Sequence, residues 1–145
     1  MVSAILLAAG EGRRLGGQKA RLAFAGTNLL NYQLDQLQQV PWAEIIVVTG
    51  YQEEALLPYL KRPGLKVKTN PHYAQGKTTS IKVGLGALSP RATDVLIIGV
   101  DEPRPASLLQ VLVREHERGG SLLTLPVYEG QRGHPPLFAL SLLPQ

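Results

Sequence analysis

Cysteine is absent from the 145 residues, which removes disulfides and thiolate metal sites and leaves nothing to argue for an oxidising compartment. Aromatic residues are scarce at 6%, with one Trp and two Phe, so the chain lacks the aromatic-interleaved basic surface on which nucleic-acid bases stack. No apolar run approaches the ~20 residues of a membrane span, and the apolar start carries no basic leader and is too short for a signal sequence. The expectation is a cytoplasmic protein with no membrane partner. A formal charge of +4 could suit nucleic acid, but the basic residues are scattered over several segments. Nucleotide phosphates are a sufficient partner, and no nucleic acid is expected. The length suits one domain over residues 1–145, able to bury roughly two thirds of its unfolded surface without staples.

Glycine, by contrast, is plentiful, and it gathers near the start. Residues 7 to 19 read Leu-Ala-Ala-Gly-Glu-Gly-Arg-Arg-Leu-Gly-Gly-Gln-Lys, a loop that leaves an apolar, partly β-branched run and closes on a lysine. Small residues let backbone N–H groups approach a phosphate or base, while Arg13, Arg14 and Lys19 bring positive charge to the same place. Two familiar phosphate loops are excluded. The dinucleotide fingerprint starts at Gly10 and Gly12 but meets Leu15 where glycine or alanine is required. The P-loop pattern is met by Gly12 and Gly17, yet Gln18 intervenes before Lys19 and Ala20 replaces the metal-binding hydroxyl. A third stretch, Gly76-Lys77-Thr78, resembles the end of a P-loop, but Pro71 stands five residues before Gly76 and offers no N–H.

Apolar runs alternate with amphipathic segments along the chain. Strands are expected at Val2 to Ala8, Glu44 to Thr49, Leu65 to Thr69, Asp94 to Val100 and Ser121 to Val127, with a strand and turn in Pro136 to Leu143. Helices are expected at Asn28 to Val40, where Leu29, Leu30, Leu34 and Leu37 share a face, and at Gln52 to Leu60, Thr78 to Leu88 and Pro105 to Arg118. This alternation predicts a three-layer α/β/α fold around a doubly wound, mostly parallel sheet. Ligands of such sheets sit beyond the carboxyl ends of the strands. The glycine loop, Asn70 to Ser80 and Asp101 all follow strands, so all three can meet on one edge.

The pattern L-A-A-G-x-G-x-R-x-G-x-x-K, filled by Leu7, Ala8, Ala9, Gly10, Gly12, Arg14, Gly16 and Lys19, resembles the MobA-like nucleotidyltransferases. Asn70-Pro71 followed by Gly76 and Ser80, Asp101-Glu102-Pro103 in place of the family's D-Q-P, and Gly133-His134-Pro135 extend the likeness over nearly the whole chain. The Ala-Ala-Gly form together with Gly-His-Pro looks closest to the molybdenum cofactor cytidylyltransferase type, favouring CTP over GTP. The resemblance implies a transferase that moves an NMP from an NTP to a phosphorylated acceptor such as molybdopterin and releases pyrophosphate. A sugar-phosphate nucleotidyltransferase and a non-catalytic nucleotide- or cofactor-binding module stay open beside it. Relatives of this kind generally run further and supply a second acidic ligand in a D-x-D-T-P-like segment. The expectation here is a single domain without that part. A homo-oligomer also stays open.

Roles follow from the chemistry. Lys19 is a compact charge for triphosphate oxygens, and Arg14 can make forked contacts to the leaving group. Asp101 taken alone reads as a helix cap or turn residue ahead of Pro105. Its place after a buried strand, together with the resemblance, makes it the candidate Mg²⁺ ligand, since a hard cation takes carboxylate oxygen. Glu102 adds a second oxygen ligand or faces solvent. The resemblance assigns base and ribose recognition to Asn70, Ser80 and the backbone around Leu7 to Gly10, with Gly12 and Gly16 shaping the nucleotide loop and His134 facing the acceptor. His72 and His116 read as solvated, the five tyrosines show no stacking pattern, and Lys61, Arg62, Lys66 and Lys68 read as a solvated edge.

Overall fold

The computed structural model describes residues 1–11 and 18–144. Gly12, Arg14 and Gly16, and with them Arg13, Leu15 and Gly17, lie outside the described residues. In chain order the strands are β1 (Val2–Ala8), β2 (Ala23–Phe24), β3 (Thr27–Asn28), β4 (Ile45–Thr49), β5 (Leu65–Thr69), β6 (Asp94–Gly99), β7 (Leu123–Thr124), β8 (Val127–Tyr128), β9 (Gln131–Arg132) and β10 (Leu137–Ala139). The α-helices are α1 (Leu29–Leu37), α2 (Lys77–Gly86) and α3 (Ala106–Gly119). A six-stranded sheet runs in the order β5-β4-β1-β6-β10-β7, while β2 with β3 and β8 with β9 form two small hairpin pairs. The pairings among β5, β4, β1 and β6 are parallel, and β10 is antiparallel to both β6 and β7.

The expected three layers form because the central strands alternate. Val2, Ala4, Leu6 and Ala8 of β1 join Leu30, Leu34 and Leu37 of α1 and Leu109 and Leu112 of α3 in one core. Ile5 and Leu7 point the other way, into a second core that takes Ile81, Val83 and Leu85 of α2. Every residue of β1 is buried, as expected for a central strand covered on both faces. Each fully buried Leu or Ile contributes roughly 1.5–3 kcal/mol of transfer free energy. Helix α2 lies close on β1 because Gly84 has no side chain. A Cβ there would stand 2.7 Å from Ile5 Cγ2 and 3.3 Å from Val48 Cγ2.

Local chemistry sets the helix ends. Asn28 Oδ1 accepts from Asn31 N at 2.8 Å and starts α1, an ordinary asparagine N-cap. Gly120, at φ 60°, ends α3 in the left-handed region, where a Cβ is disfavoured. Two expectations need correction. The helix expected over 52–60 is a pair of 3-10 turns, Glu53–Ala55 and Leu57–Tyr59, because Pro58 supplies no N–H to continue an α-helical ladder. The strand expected over 121–127 is only Leu123–Thr124, with Val127 passing into the β8–β9 hairpin around Pro126. Among the described residues no helix is long and apolar enough to cross a membrane.

Candidate functional site

Parallel strands β1 and β6 are neighbours and end at the same edge, so the segments that follow them face each other. A cleft of about 430 Å³ opens there, floored by Ala8, Ala9 and Gly10 after β1 and by Gly99 and Val100 at the end of β6. Its rims are Lys19 on one side, Asp101 beside it, and Tyr73, Lys77 and Ser80 on the α2 side. Lys19 Nζ donates to Asp101 Oδ2 at 3.2 Å, both side chains being more than a third exposed. An exposed pair of this kind adds little stability, so its interest is the open, polar geometry it displays.

Asp101 rides on a tight turn. Glu102 N donates to Gly99 O at 3.0 Å, and the two carboxylates fold back over Gly99. A Cβ on Gly99 would stand 2.7 Å from Asp101 Oδ1 and 3.0 Å from Glu102 Oε1, so both oxygens border one small space that only glycine leaves free. Carboxylate oxygen is the donor that a hard divalent cation takes, its remaining positions going to water or substrate phosphate, so by donor type this pair of neighbouring acids suits Mg²⁺. Two further cationic or titratable groups border the turn: Lys77 Nζ lies 4.0 Å from Glu102 Oε1, and His134 Nδ1 lies 3.9 Å from Glu102 Oε2. His134 reaches this edge because β10 runs antiparallel to β6, so the residues before β10 lie where β6 ends. Arg104 Nε anchors it by donating to His134 O at 3.0 Å.

The Asn70 side chain is fully buried and its polar atoms are committed. Its Nδ2 donates to Thr79 Oγ1 at 2.9 Å and Ser80 Oγ at 2.8 Å, while Oδ1 accepts from His72 N at 2.9 Å. Asn70 thus sets the turn leading into α2 and orients the Ser80 hydroxyl, which lines the cleft. Of the expected site residues, Leu7, Ala8, Ala9, Gly10, Lys19, Ser80 and Asp101 line that one cleft. His134 stands beside it on the far side of Glu102, and Asn70 lies one layer behind Ser80.

The MobA-like NTP transferase domain matches residues 4–145. The chain belongs to that family. It is 28% identical over 145 residues to the molybdenum cofactor cytidylyltransferase of Escherichia coli, which spans 99% of this chain and 73% of that protein. It is 33% identical over 143 residues to a probable molybdenum cofactor guanylyltransferase of Methanosarcina acetivorans, covering 95% of this chain but only 62% of that one. Another curated relative is spanned over just 26% of its length. Among solved structures, Rv0371c of Mycobacterium tuberculosis H37Rv aligns with a TM-score of 0.83 at 26% identity, over 97% of this chain and 72% of that one.

Three features of the cleft and its surroundings escaped the sequence reading. Lys77 belongs to no P-loop, yet it lines the same cleft as Lys19. Tyr73 and Tyr51 do make a ring contact, edge to face at 5.9 Å, and it forms only because Gly50 is bare: a Cβ there would meet Tyr73 Cβ at 2.9 Å. Gln18, next to the glycine loop, is buried and donates to Tyr51 O at 2.7 Å, tying the end of that loop to the turn after β4. A glycine immediately before an aromatic residue was the signal for the second feature. For Lys77 the signal was its place within Asn70 to Ser80, the segment expected at this edge, and Gln18 had none.

Proposed function

We propose that this chain transfers CMP from CTP to a phosphorylated acceptor of the molybdopterin type, releasing pyrophosphate. The observation that carries the reading is the 3.2 Å approach of Lys19 Nζ to Asp101 Oδ2 over a cleft floored by the small residues that end β1. In the reaction an acceptor phosphate oxygen attacks the α-phosphorus, the bond from that phosphorus to the α–β bridging oxygen breaks, and pyrophosphate leaves with the electron pair. Asp101, with Glu102, would hold Mg²⁺, which when bound supplies Lewis-acid neutralisation of the triphosphate oxygens. Lys19 exchanges its carboxylate partner for those same oxygens, and Arg14 stabilises the charge that builds on the leaving group. The bare backbone of Ala8 to Gly10 and the Ser80 hydroxyl read base and ribose, with Asn70 holding that hydroxyl in place. His134 faces the acceptor. Composition suits a cytoplasmic enzyme.

CMP is preferred to GMP on the Ala8-Ala9-Gly10 form of the first motif together with Gly133-His134-Pro135. Pyrophosphate release with each NTP and Mg²⁺, with and without a molybdopterin acceptor, tests the whole reading. The expected result is release that requires the acceptor and is fastest with CTP. Fastest release with GTP reverses the choice of base, and release with a sugar phosphate instead changes the acceptor class. Calorimetric binding of NTP without any release makes the chain a nucleotide-binding module. No heat with any NTP plus Mg²⁺ overturns the proposal.

A further inference from the structure

Helix α1 contributes Leu30, Leu34 and Leu37 to the core, and Gln33 lies among them, fully buried. An amide in such a place is costly to desolvate unless it is paired. Gln33 Nε2 donates to Gly99 O at 2.9 Å and to Glu102 O at 2.9 Å, the two ends of the turn that carries Asp101. Both partners are carbonyls, which only accept, so the nitrogen must face them and the amide orientation is settled by chemistry. Gln33 Oε1 is left buried with no partner among the described residues. Three residues on, Gln36 Oε1 accepts from Ala106 N at 2.8 Å and caps the start of α3. Helix α1 therefore grips the segment from 99 to 106 at both ends, and the acidic turn is the part between.

Gln33 spends both of its donors on one turn and leaves its own acceptor unmatched, so what the side chain supplies at this core position is a double tie to the backbone that carries Asp101. We propose that Gln33 is a positioning residue that fixes the pose of the Gly99–Glu102 turn and, with it, the placement of the Asp101 and Glu102 carboxylates offered to a divalent cation. It acts through the backbone and touches neither nucleotide nor metal. This inference rests on the proposed metal role of Asp101, and the experiment separates the two.

Mn²⁺ affinity is measured by electron paramagnetic resonance with a non-hydrolysable CTP analogue bound, in the parent protein and in Gln33→Met, Gln36→Met and Asp101→Asn. Gln33→Met should weaken Mn²⁺ binding about tenfold or more, the usual size of an effect on a group that orients a metal ligand. Its affinity for the analogue without metal should stay within about twofold, and so should Mn²⁺ affinity in Gln36→Met, a change that loosens the same segment without touching the turn. Folded Gln33→Met with parental Mn²⁺ affinity overturns the inference. Unchanged Mn²⁺ binding in Asp101→Asn sinks the metal role of Asp101 instead. Should Gln33→Met not fold, the parent decides: Mg²⁺ titrated onto the analogue-bound protein should shift the Gln33 side-chain amide resonances together with the Asp101 and Glu102 amides, and a stationary Gln33 signal refutes the link.

Discussion

Strand β6 begins at Asp94 and is followed, two residues past its end, by Asp101, and the two aspartates have opposite surroundings. Asp94 Oδ1 lies 2.9 Å from Nε2 of the buried His116, Asp94 Oδ2 accepts from Thr93 Oγ1 at 2.6 Å, and His116 Nδ1 lies 2.8 Å from Thr124 Oγ1. Nearby on the same edge, Glu44 accepts from Ser3 Oγ, Ser89 N and Lys66 Nζ, joining β1, β5 and the turn before β6. At the other end Asp101, which lines the cleft, has one partner among the described residues, the exposed Lys19 at 3.2 Å. One residue type therefore serves as a structural tie at the amino edge of the sheet and as a displayed ligand at the carboxyl edge. The number of partners among the described residues separates the two roles, and the open one lies at the carboxyl edge, where open α/β sheets hold their ligands.

The contrast makes its strongest prediction at the open end. Lys19→Ala should lower turnover ~100-fold or more, the ordinary cost of losing one electrostatic stabiliser of a developing anion. The melting temperature should hardly move, since an exposed pair contributes about 1 kcal/mol at most. Steady-state rates beside a thermal melt check this. A rate within threefold of the parent removes Lys19 from the mechanism, and a collapse in stability erases the distinction between the two edges.

At the closed end the expectation inverts. His116→Leu leaves Asp94 Oδ1 and Thr124 Oγ1 without their partner, so it should cost about 1–3 kcal/mol of stability. Denaturant unfolding measures that loss, and calorimetry with CTP should find nucleotide affinity unaltered. Weakened nucleotide binding in a folded variant would mean that the edges are coupled through β6.

The sheet was readable because β1, β4 and β6 are short apolar runs that suit no exposed helix, and the position of Asp101 followed from a rule about strand ends. What resisted reading was the identity of polar partners across long separations. His116 was expected in solvent, yet it is buried at 3%; its spacing from Leu109 and Leu112 places it on the apolar face of α3, a signal available in the sequence and outweighed by its charged neighbours. Lys66 and Arg62 likewise pair with Glu44 and Asp35 where a solvated edge was expected. Gln33 is harder. Its helical spacing from Leu30 marks it as inward, but the carbonyls it serves lie 66 and 69 residues away, and no local pattern names them.

The smallest expected effect is the response of the closed edge to acid. Burial raises the carboxyl of Asp94, but hydrogen bonds from Thr93 and His116 and the charge of His116 outweigh it, leaving the group below its ordinary 3.8. Burial likewise raises Glu44, and the Ser89 N–H, Lys66 and Ser3 bring it below its ordinary 4.5. A carboxyl depressed by folding stabilises the folded state fully above its unfolded value, and that contribution is lost as pH falls through the folded one. The melting temperature should therefore be level with respect to these two groups above about pH 5 and decline below it. In His116→Leu the part of the decline due to Asp94 should shrink, because two of the influences that depress its carboxyl are gone, while the part due to Glu44 persists. Melts from neutral pH into acid on parent, His116→Leu and Glu44→Gln resolve the two shares. A parental acid slope in both variants would show that the ties at this edge carry no proton-linked stability.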